Sequence, residues 1–235
     1  MPLVSLWMCF AAVVLLSFAL ARQNWRHLGS GAFITRHLRL WFAMAAGLGV
    51  AFMSLPGQSL PPWLLPAAIA ALTLQFALLQ SQHPALRPQV HAASLADWYA
   101  VQALRAPFGL VIVAGGLLGL LPASFAWAAG LGDVAVGIAA LVLRRHAGSA
   151  TGPWSPATRA CAWLFTLLGA ADLLNAGRLG GAVVVPWLVE QQLPGFLPIV
   201  PFFGVPIFLA NHLQMARLLL RGPAHEPAAQ LTGSI

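Results

Sequence analysis

Residues 98–145 read WYAVQALRAPFGLVIVAGGLLGLLPASFAWAAGLGDVAVGIAALVLRR, and this stretch decides the fold. It contains two apolar segments joined by a short turn at Leu121-Pro122. Each segment is long enough to cross a bilayer, which takes about 20 mostly apolar residues in an α-helix. The first carries Arg105 and the second carries Asp133. Because an ionisable side chain is costly in hydrocarbon unless it has a partner, these two charges indicate a site.

The whole chain has the composition of an integral membrane protein. Of its 235 residues, 60% are hydrophobic and 7% are charged, and the mean hydropathy is +0.82. A water-soluble domain has about 25% charged residues. The net charge of +7 comes from arginines between the apolar segments, where the positive-inside rule places them. We therefore expect the lipid bilayer as the main partner and no binding of nucleic acid.

Seven apolar segments predict an all-α protein with seven transmembrane helices. They are Leu3–Ala21, Leu40–Leu55, Pro62–Gln80, Trp98–Leu121, Ala123–Leu143, Thr158–Arg178 and Gly195–Leu220. The segments after helices one, three, five and seven contain ten arginines, whereas the other side contains only Arg178. This asymmetry predicts an outside N-terminus and a cytoplasmic C-terminus in a bacterial inner membrane.

The seven helices are expected to form one domain over residues 1–221, followed by a disordered cytoplasmic tail at 222–235. Predicted helices one to three contain almost no polar side chains, Thr73 and Gln75 being the exceptions, and residues 1–80 are expected to form an apolar three-helix scaffold. Residues 98–221 are expected to form a four-helix part with a polar core. The inner loop between the two parts ends in Ser94-x-x-Asp97, a helix-capping pattern.

Helices four to six bring the candidate site together. Gln102, Arg105 and Gly109 share one face of helix four, and Pro107 should bend that helix beside Arg105. Asp133 and Asp172 should lie at similar depth on adjacent antiparallel helices, so we expect Arg105 to bridge to Asp133 and the two carboxylates to approach each other. The predicted ligand- or proton-binding residues are Arg105, Asp133, Asp172, Gln102, Asn175 and His212.

Three further patterns carry structural expectations. Gly115-x-x-x-Gly119 predicts a close-packing patch on helix four. Residues 186–192 predict a short helix on the outer surface, within the loop at 180–194. The last segment contains Pro194, Pro198, Pro201 and Pro206. A helix interrupted in this way is tolerated where its freed backbone groups are satisfied by protein or line a cavity.

The first functional hypothesis is a protein that binds or transports an unknown small solute, with Asp133 and Asp172 as protonatable groups. Carboxylates at mid-membrane beside a broken helix are typical of secondary transporters. In size, helix number and topology the chain resembles the SWEET sugar transporters, although it has no Pro-Gln pair within a predicted transmembrane helix. A ligand-sensing receptor of seven-helix shape stays open. So does a structural protein, in which the buried ion pairs only fix helix packing.

The other hypothesis is an intramembrane aspartyl protease, with Asp133 and Asp172 as the catalytic pair. Residues 130–133 have the sequence Gly-Leu-Gly-Asp, which resembles the GxGD motif of presenilins, signal peptide peptidases and prepilin peptidases. This resemblance implies two aspartates that activate a water. In those families the second aspartate precedes the motif, whereas Asp172 follows it.

Other chemistries are excluded by missing residues. The sequence contains no Lys, which excludes a retinal or pyridoxal Schiff base, and no HExxH or GxSG motif. Only His212 lies within a predicted apolar segment, so a bis-His haem site has no second ligand. We therefore expect no metal and no cofactor.

Overall fold

The computed structural model describes residues 63–84, 86–149, 154–191 and 200–221, and six isolated positions at 12, 15, 16, 19, 43 and 47. In this part of the chain every regular element is helical. Apart from those isolated positions, the predicted helices Leu3–Ala21 and Leu40–Leu55 lie outside the described residues. The same holds for the predicted tail at 222–235.

Eight α-helices and two π-helical turns follow one another along the described residues. The α-helices are α1 (Leu64–Gln82), α2 (Arg87–Ala92), α3 (Leu95–Gln102), α4 (Arg105–Leu117), α5 (Ala123–Ser149), α6 (Pro156–Leu179), α7 (Val185–Glu190) and α8 (Val205–Arg221). The π-helical turns, at Gly180–Val184 and Val200–Gly204, directly precede α7 and α8. The all-α prediction is confirmed for this part of the chain.

Five continuous stretches are long and apolar enough to cross a membrane. They are Leu64–Gln82, Leu95–Leu117, Ala123–Ala147, Pro156–Leu188 and Phe202–Arg221. Their outward-facing side chains include many exposed leucines, among them Leu110, Leu131 and Leu168. Apolar surface on this scale is what lipid chains cover in a membrane protein. The chain is therefore a multi-pass membrane protein with five candidate spans among the described residues.

The last span is the central one of the five. In Phe202–Arg221, 72% of the residues are buried inside the protein, compared with 33–44% in the other four spans. Its inward-facing residues pack against α1, α3 and α6 in one apolar cluster that includes Phe76, Phe165, Phe208 and Met215. Because most of α8 is enclosed, with Leu213 and Leu220 as exposed exceptions, the buried polar side chains on this helix must find their partners inside the protein.

Helices α4 and α5 run antiparallel and touch at their backbones. A Cβ atom added to Gly109 would lie 2.7 Å from the backbone nitrogen of Val134, closer than real Cβ atoms approach. One added to Gly137 would lie 2.7 Å from the Cβ of Ala106. Contacts of this kind need residues without bulky side chains on both helices. The small residues of α5 thus lie in its contact with α4.

The fourth predicted span is interrupted where Pro107 was expected to act. Helix α3 ends at Gln102, a turn occupies Ala103 and Leu104, and α4 begins at Arg105. Pro107 has no N–H to give to the carbonyl of Ala103, and that carbonyl accepts the N–H of Ala106 instead, at 3.2 Å. The predicted bend beside Arg105 is confirmed.

Two local expectations were wrong. Gly119 does not form a close-packing patch with Gly115, because it follows the end of α4 with φ at 68° and would have no neighbour within 4 Å of an added Cβ. Its positive φ lets the N–H of Leu120 reach the carbonyl of Gly115 at 2.8 Å, which closes the helix end. Residues 180–190 are also not a loop, since α6 continues through the π-helical turn into α7.

The helix directions place six arginines at one end of the bundle. Helix α6 is antiparallel to α8, since Arg159 donates to the carbonyl of Leu219 at 2.9 Å and Gly169 meets His212 further along. It is also antiparallel to α1, since Gly177 meets Ile69 and Gly180 meets Leu65, so α1 and α8 are parallel. The ends of α1, α5 and α8 therefore lie together with the start of α6. We call this the Arg-rich end, defined by Arg87, Arg144, Arg145, Arg159, Arg217 and Arg221.

Candidate functional site

Arg105 lies at the centre of the candidate site and is fully buried, with 0% of its side chain exposed. Its Nε atom donates to Oδ1 of Asp133 at 2.7 Å, and its Nη2 atom donates to Oδ2 of Asp172. Its Nη1 atom donates to the backbone carbonyl of Gly169 at 2.9 Å. One guanidinium therefore connects α4, α5 and α6. We call Arg105, Asp133 and Asp172 the buried triad.

Glycines of the GxGD-like segment make room for this arrangement. A Cβ added to Gly132 would lie 2.8 Å from the Cγ of Asp172, so the carboxylate of Asp172 rests directly on the backbone of α5. A Cβ added to Gly130 would lie 2.7 Å from Cγ2 of Val113 and 3.0 Å from the carbonyl of Gly109. Gly132 thus lets α6 approach α5 closely, and Gly130 lets α4 do the same.

His212 covers the buried triad from α8 and has only 2% of its surface exposed. A Cβ added to Gly169 would lie 2.7 Å from Nε2 of His212 and 3.4 Å from Nη1 of Arg105, so both side chains converge on this glycine. The imidazole ring also packs against Phe165, with ring centroids 5.7 Å apart. Neither ring nitrogen of His212 has a hydrogen-bond partner among the described residues. Buried polar atoms of this kind are usually satisfied by ordered water or a ligand.

A second group of buried polar side chains lies next to His212 along α8. The amide of Gln102 donates to the carbonyl of Phe208 at 3.0 Å, and its Oε1 atom has no partner within the described part of the chain. Gln80 donates to Oδ1 of Asn211 at 3.5 Å and accepts from Gln214 at 3.3 Å. The Nδ2 atom of Asn211 is buried and likewise lacks a partner there. Hydrogen-bonding capacity is therefore left over beside the triad.

The structure brings together five of the six predicted residues. Arg105, Asp133 and Asp172 are in direct contact, His212 lies against them, and Gln102 lies one helix turn before Arg105. The exception is Asn175, which is exposed and whose side chain accepts from the guanidinium of Arg178 at 3.1 Å. It is three residues beyond Asp172 and points along the surface of α6, away from the triad.

Sequence reasoning missed Gln80 and the carbonyl of Gly169. Gln75 was noted as the polar residue of the third predicted span, but it is exposed, whereas Gln80 is fully buried. A signal for Gln80 was present, because it continues the buried face of α1 at helical spacing. That face consists of Leu65, Ile69, Leu72, Thr73, Phe76 and Gln80. The apolar scaffold at residues 1–80 therefore contributes a polar side chain to the interior.

The buried triad has one charge that is not compensated within it. Arg105 supplies one positive charge, and Asp133 and Asp172 supply two negative charges when both are ionised. An unbalanced charge is expensive in a medium of low dielectric. A proton on either carboxylate, or a small cation beside them, would neutralise the group. The chemistry that this arrangement favours is therefore uptake and release of a proton or a cation.

A metal centre has no comparable support. Among the residues that the structure describes, no group of three or more His, Cys, Asp or Glu side chains is placed to hold a metal ion.

Comparison with known proteins gives a family without an assigned activity. No curated protein and no solved structure matches the chain. The family described as a domain of unknown function, DUF8737, matches residues 61–220, a range that contains all five candidate spans except the last residue of the fifth. The buried triad, Gln80, Gln102 and His212 all lie within this range. Since the match covers more than half of the sequence, the chain belongs to the DUF8737 family.

Proposed function

We propose that this protein binds a small solute within the membrane and transports it together with a proton. The observation that supports this proposal is the buried triad, in which one guanidinium faces two carboxylates at the centre of the bundle. Loading and release of one proton would switch the triad between neutral and negative states. A change of this kind alters the free energy of a site in hydrocarbon, which is what coupling a proton to a solute needs.

The members of the site have different roles in this proposal. Asp172 is the proton acceptor, because 20% of its side chain is exposed, compared with 12% for Asp133. Arg105 fixes both carboxylates and is already bonded through Nε, Nη1 and Nη2, so it is poorly placed to hold an anionic solute as well. Gln102 and His212 offer the free polar atoms that would bind a neutral or cationic solute.

The finer membrane arrangement is part of the same proposal. Seven helices, with the Arg-rich end in the cytoplasm of a bacterial inner membrane, would satisfy the positive-inside rule. Six arginines of the described residues lie at this end, and Arg178 lies at the other. Cysteine labelling from each side of the membrane at position 146 and at position 191 would test the orientation.

The test of transport is a current measurement on protein reconstituted in liposomes. A panel of neutral sugars, amines, amino acids and carboxylates is applied with and without a pH gradient, and charge movement is recorded. We expect at least one neutral or cationic solute to give a proton-dependent current that Asp172→Asn abolishes. Glu190→Gln is the matched control, because it removes an exposed carboxylate outside the site and should leave the current unchanged. A panel without any current, or a current that survives in Asp172→Asn, would contradict the proposal.

A second candidate is a structural protein without transport activity, and one observation favours it. The guanidinium of Arg105 already ties three helices together through three protein partners, which is enough to explain its presence. The two candidates differ in the effect of Asp133→Asn. If the wild-type protein carries no solute current and the variant does not fold, the structural role is supported. If the variant folds and loses a current that the wild-type protein carries, transport is supported.

The contacts of Arg105 argue against the protease hypothesis. An aspartyl dyad needs two carboxyl groups that share one proton and hold a water between them. In this protein Oδ1 of Asp133 and Oδ2 of Asp172 both accept from the guanidinium of Arg105, so a cation lies between the two carboxylates, where a dyad would hold its water. A cleavage assay with a transmembrane peptide should therefore give no product that disappears in Asp133→Asn.

A further inference from the structure

Four basic side chains come together at the Arg-rich end, away from the buried triad. Arg87 and His91 lie on α2, and Arg217 and Arg221 lie one turn apart on the last part of α8. All three arginines are close enough to act electrostatically on His91, and Arg87 and Arg221 act on Arg217 in the same way. Among the described residues, no carboxylate acts on His91 or on Arg217. We call these four residues the basic cluster.

The arginines of the basic cluster differ from other arginines of the molecule in their hydrogen bonding. Arg159 donates to the carbonyl of Leu219, and Arg178 donates to Asn175. By contrast, no hydrogen bond or ion pair of Arg87, Arg217 or Arg221 exists within the described residues. Like charges four residues apart on a helix, as at 217 and 221, are mutually destabilising. The described residues therefore hold these guanidinium groups together without supplying an anion that would stabilise them.

His91 adds a buried polar atom without a hydrogen-bond partner at the same place. Its Nε2 atom is covered by neighbouring atoms and lacks a hydrogen-bond partner in the described ranges. Burial lowers the pKa of His91 from its usual 6.5, and Arg221, Arg217 and Arg87 lower it further. The imidazole therefore avoids adding a fourth positive charge, but the three guanidinium groups around it still repel one another unless an anion joins them.

The position of the basic cluster indicates where the anion comes from. Arg217 and Arg221 occupy the last turns of a helix that is long and apolar enough to span the membrane, and α2 follows directly after another such helix. Lipid phosphates lie at this level of a bilayer, and guanidinium groups bind phosphate oxygens in a bidentate manner. We propose that Arg87, His91, Arg217 and Arg221 form a binding site for the phosphate of an acidic phospholipid headgroup.

Native mass spectrometry of the full chain in detergent tests this site. Phosphatidylglycerol and phosphatidylcholine are added in equal amounts, and the number of lipids retained on the protein is measured. We expect the wild-type protein to prefer phosphatidylglycerol, and Arg217→Gln with Arg221→Gln to reduce that preference roughly 25-fold, since each arginine near anionic lipid contributes about fivefold. Replacing both by Lys keeps the charge and should retain part of the preference.

The matched control is Arg144→Gln with Arg145→Gln. This pair lies at the same end of the bundle and removes the same charge, but neither residue is among the charges that act on His91. We expect it to change the lipid preference several-fold less than the 217/221 pair does. Equal losses in the two double variants would mean that the effect is diffuse attraction, and would overturn the proposal. So would a wild-type protein without preference for phosphatidylglycerol.

A last arm distinguishes a lipid from a free anion. Inorganic phosphate is titrated in place of lipid, and the melting temperature is recorded for the wild-type protein and the 217/221 variant. We expect a smaller stabilisation by inorganic phosphate than by phosphatidylglycerol. A stabilisation by inorganic phosphate that equals that of the lipid and is lost in the variant would overturn the lipid assignment.

Discussion

Arg105 and Arg217 have the same side chain in opposite surroundings. Arg105 is fully buried, and three of its nitrogen atoms donate to protein acceptors on two other helices. Arg217 is half-buried at the Arg-rich end, among other arginines and without a hydrogen-bond partner in the described part of the chain. At the membrane centre the protein must supply the counter-charge, because hydrocarbon supplies none. At the membrane surface the lipid can supply it.

Removing the two guanidinium groups should give the largest difference. Arg105→Met leaves two carboxylates buried without their cation, so we expect the free energy of unfolding to fall by about 3–5 kcal/mol. Arg217→Met should change it by less than about 0.5 kcal/mol, since no protein partner is lost. Unfolding of both variants in mixed micelles, followed by tryptophan fluorescence, measures the difference. Similar losses in the two variants would break the distinction drawn between them.

A substitution at Gly169 tests whether the triad is as closely packed as the contacts indicate. The added methyl group of Gly169→Ala would lie 2.7 Å from Nε2 of His212 and displace it, at a cost of about 1–3 kcal/mol. Gly180→Ala is the control, because its added Cβ would have no neighbour closer than 3.7 Å. We expect thermal unfolding to show a lower midpoint for the first variant and no loss for the second. Equal midpoints would mean that the packing around His212 is loose.

Charge balance within the triad can be measured by combining substitutions. Asp172→Asn alone leaves a neutral pair of Arg105 and Asp133 and should change the free energy of unfolding by less than about 1 kcal/mol. Added to Arg105→Met, the same substitution removes one of two unpaired carboxylates and should restore about 1–2 kcal/mol. A double-mutant cycle in the same unfolding assay gives the coupling. Additive effects would show that the arginine and the carboxylate do not interact.

The smallest expected effect concerns His91 at the Arg-rich end. Burial and the neighbouring arginines lower its pKa below 6.5, so the folded state binds fewer protons than the unfolded state as the pH falls below that value. Stability should therefore decrease slightly between about pH 7.5 and about pH 5.5. His91→Gln should show a flatter profile of melting temperature against pH. Identical profiles for the two proteins would mean that the pKa of His91 is not lowered in the folded state.

Much of the fold and the main ion pair could be predicted from the sequence. Five of the predicted apolar segments lie close to the five candidate spans of the structure. The cost of a charge in hydrocarbon was enough to predict the pairing of Arg105 with Asp133. The capping box of Ser94 and Asp97 is also present, with the N–H of Ser94 donating to the carboxylate at 2.9 Å. These predictions succeeded because each depends on residues that are close in sequence or on a large energetic cost.

The remaining features depend on how helices rotate against one another, which a single sequence does not state. Asn175 follows Asp172 by three residues, yet it lies on the exposed side of α6. Gln80 and Gln75 are both polar residues of α1, and only the buried face decides which one enters the core. The π-helical turn at Gly180–Val184 likewise continues α6 through two glycines, although adjacent glycines in a sequence usually indicate a loop.

Infrared difference spectroscopy between acidic and neutral pH tests the proton-binding role of the buried triad most directly. We expect a band from one protonated carboxyl group of the triad at acidic pH. This band should shift or disappear in Asp172→Asn and stay unchanged in Glu190→Gln. A spectrum without such a band, or one in which the band is unaffected by both Asp133→Asn and Asp172→Asn, would contradict that role.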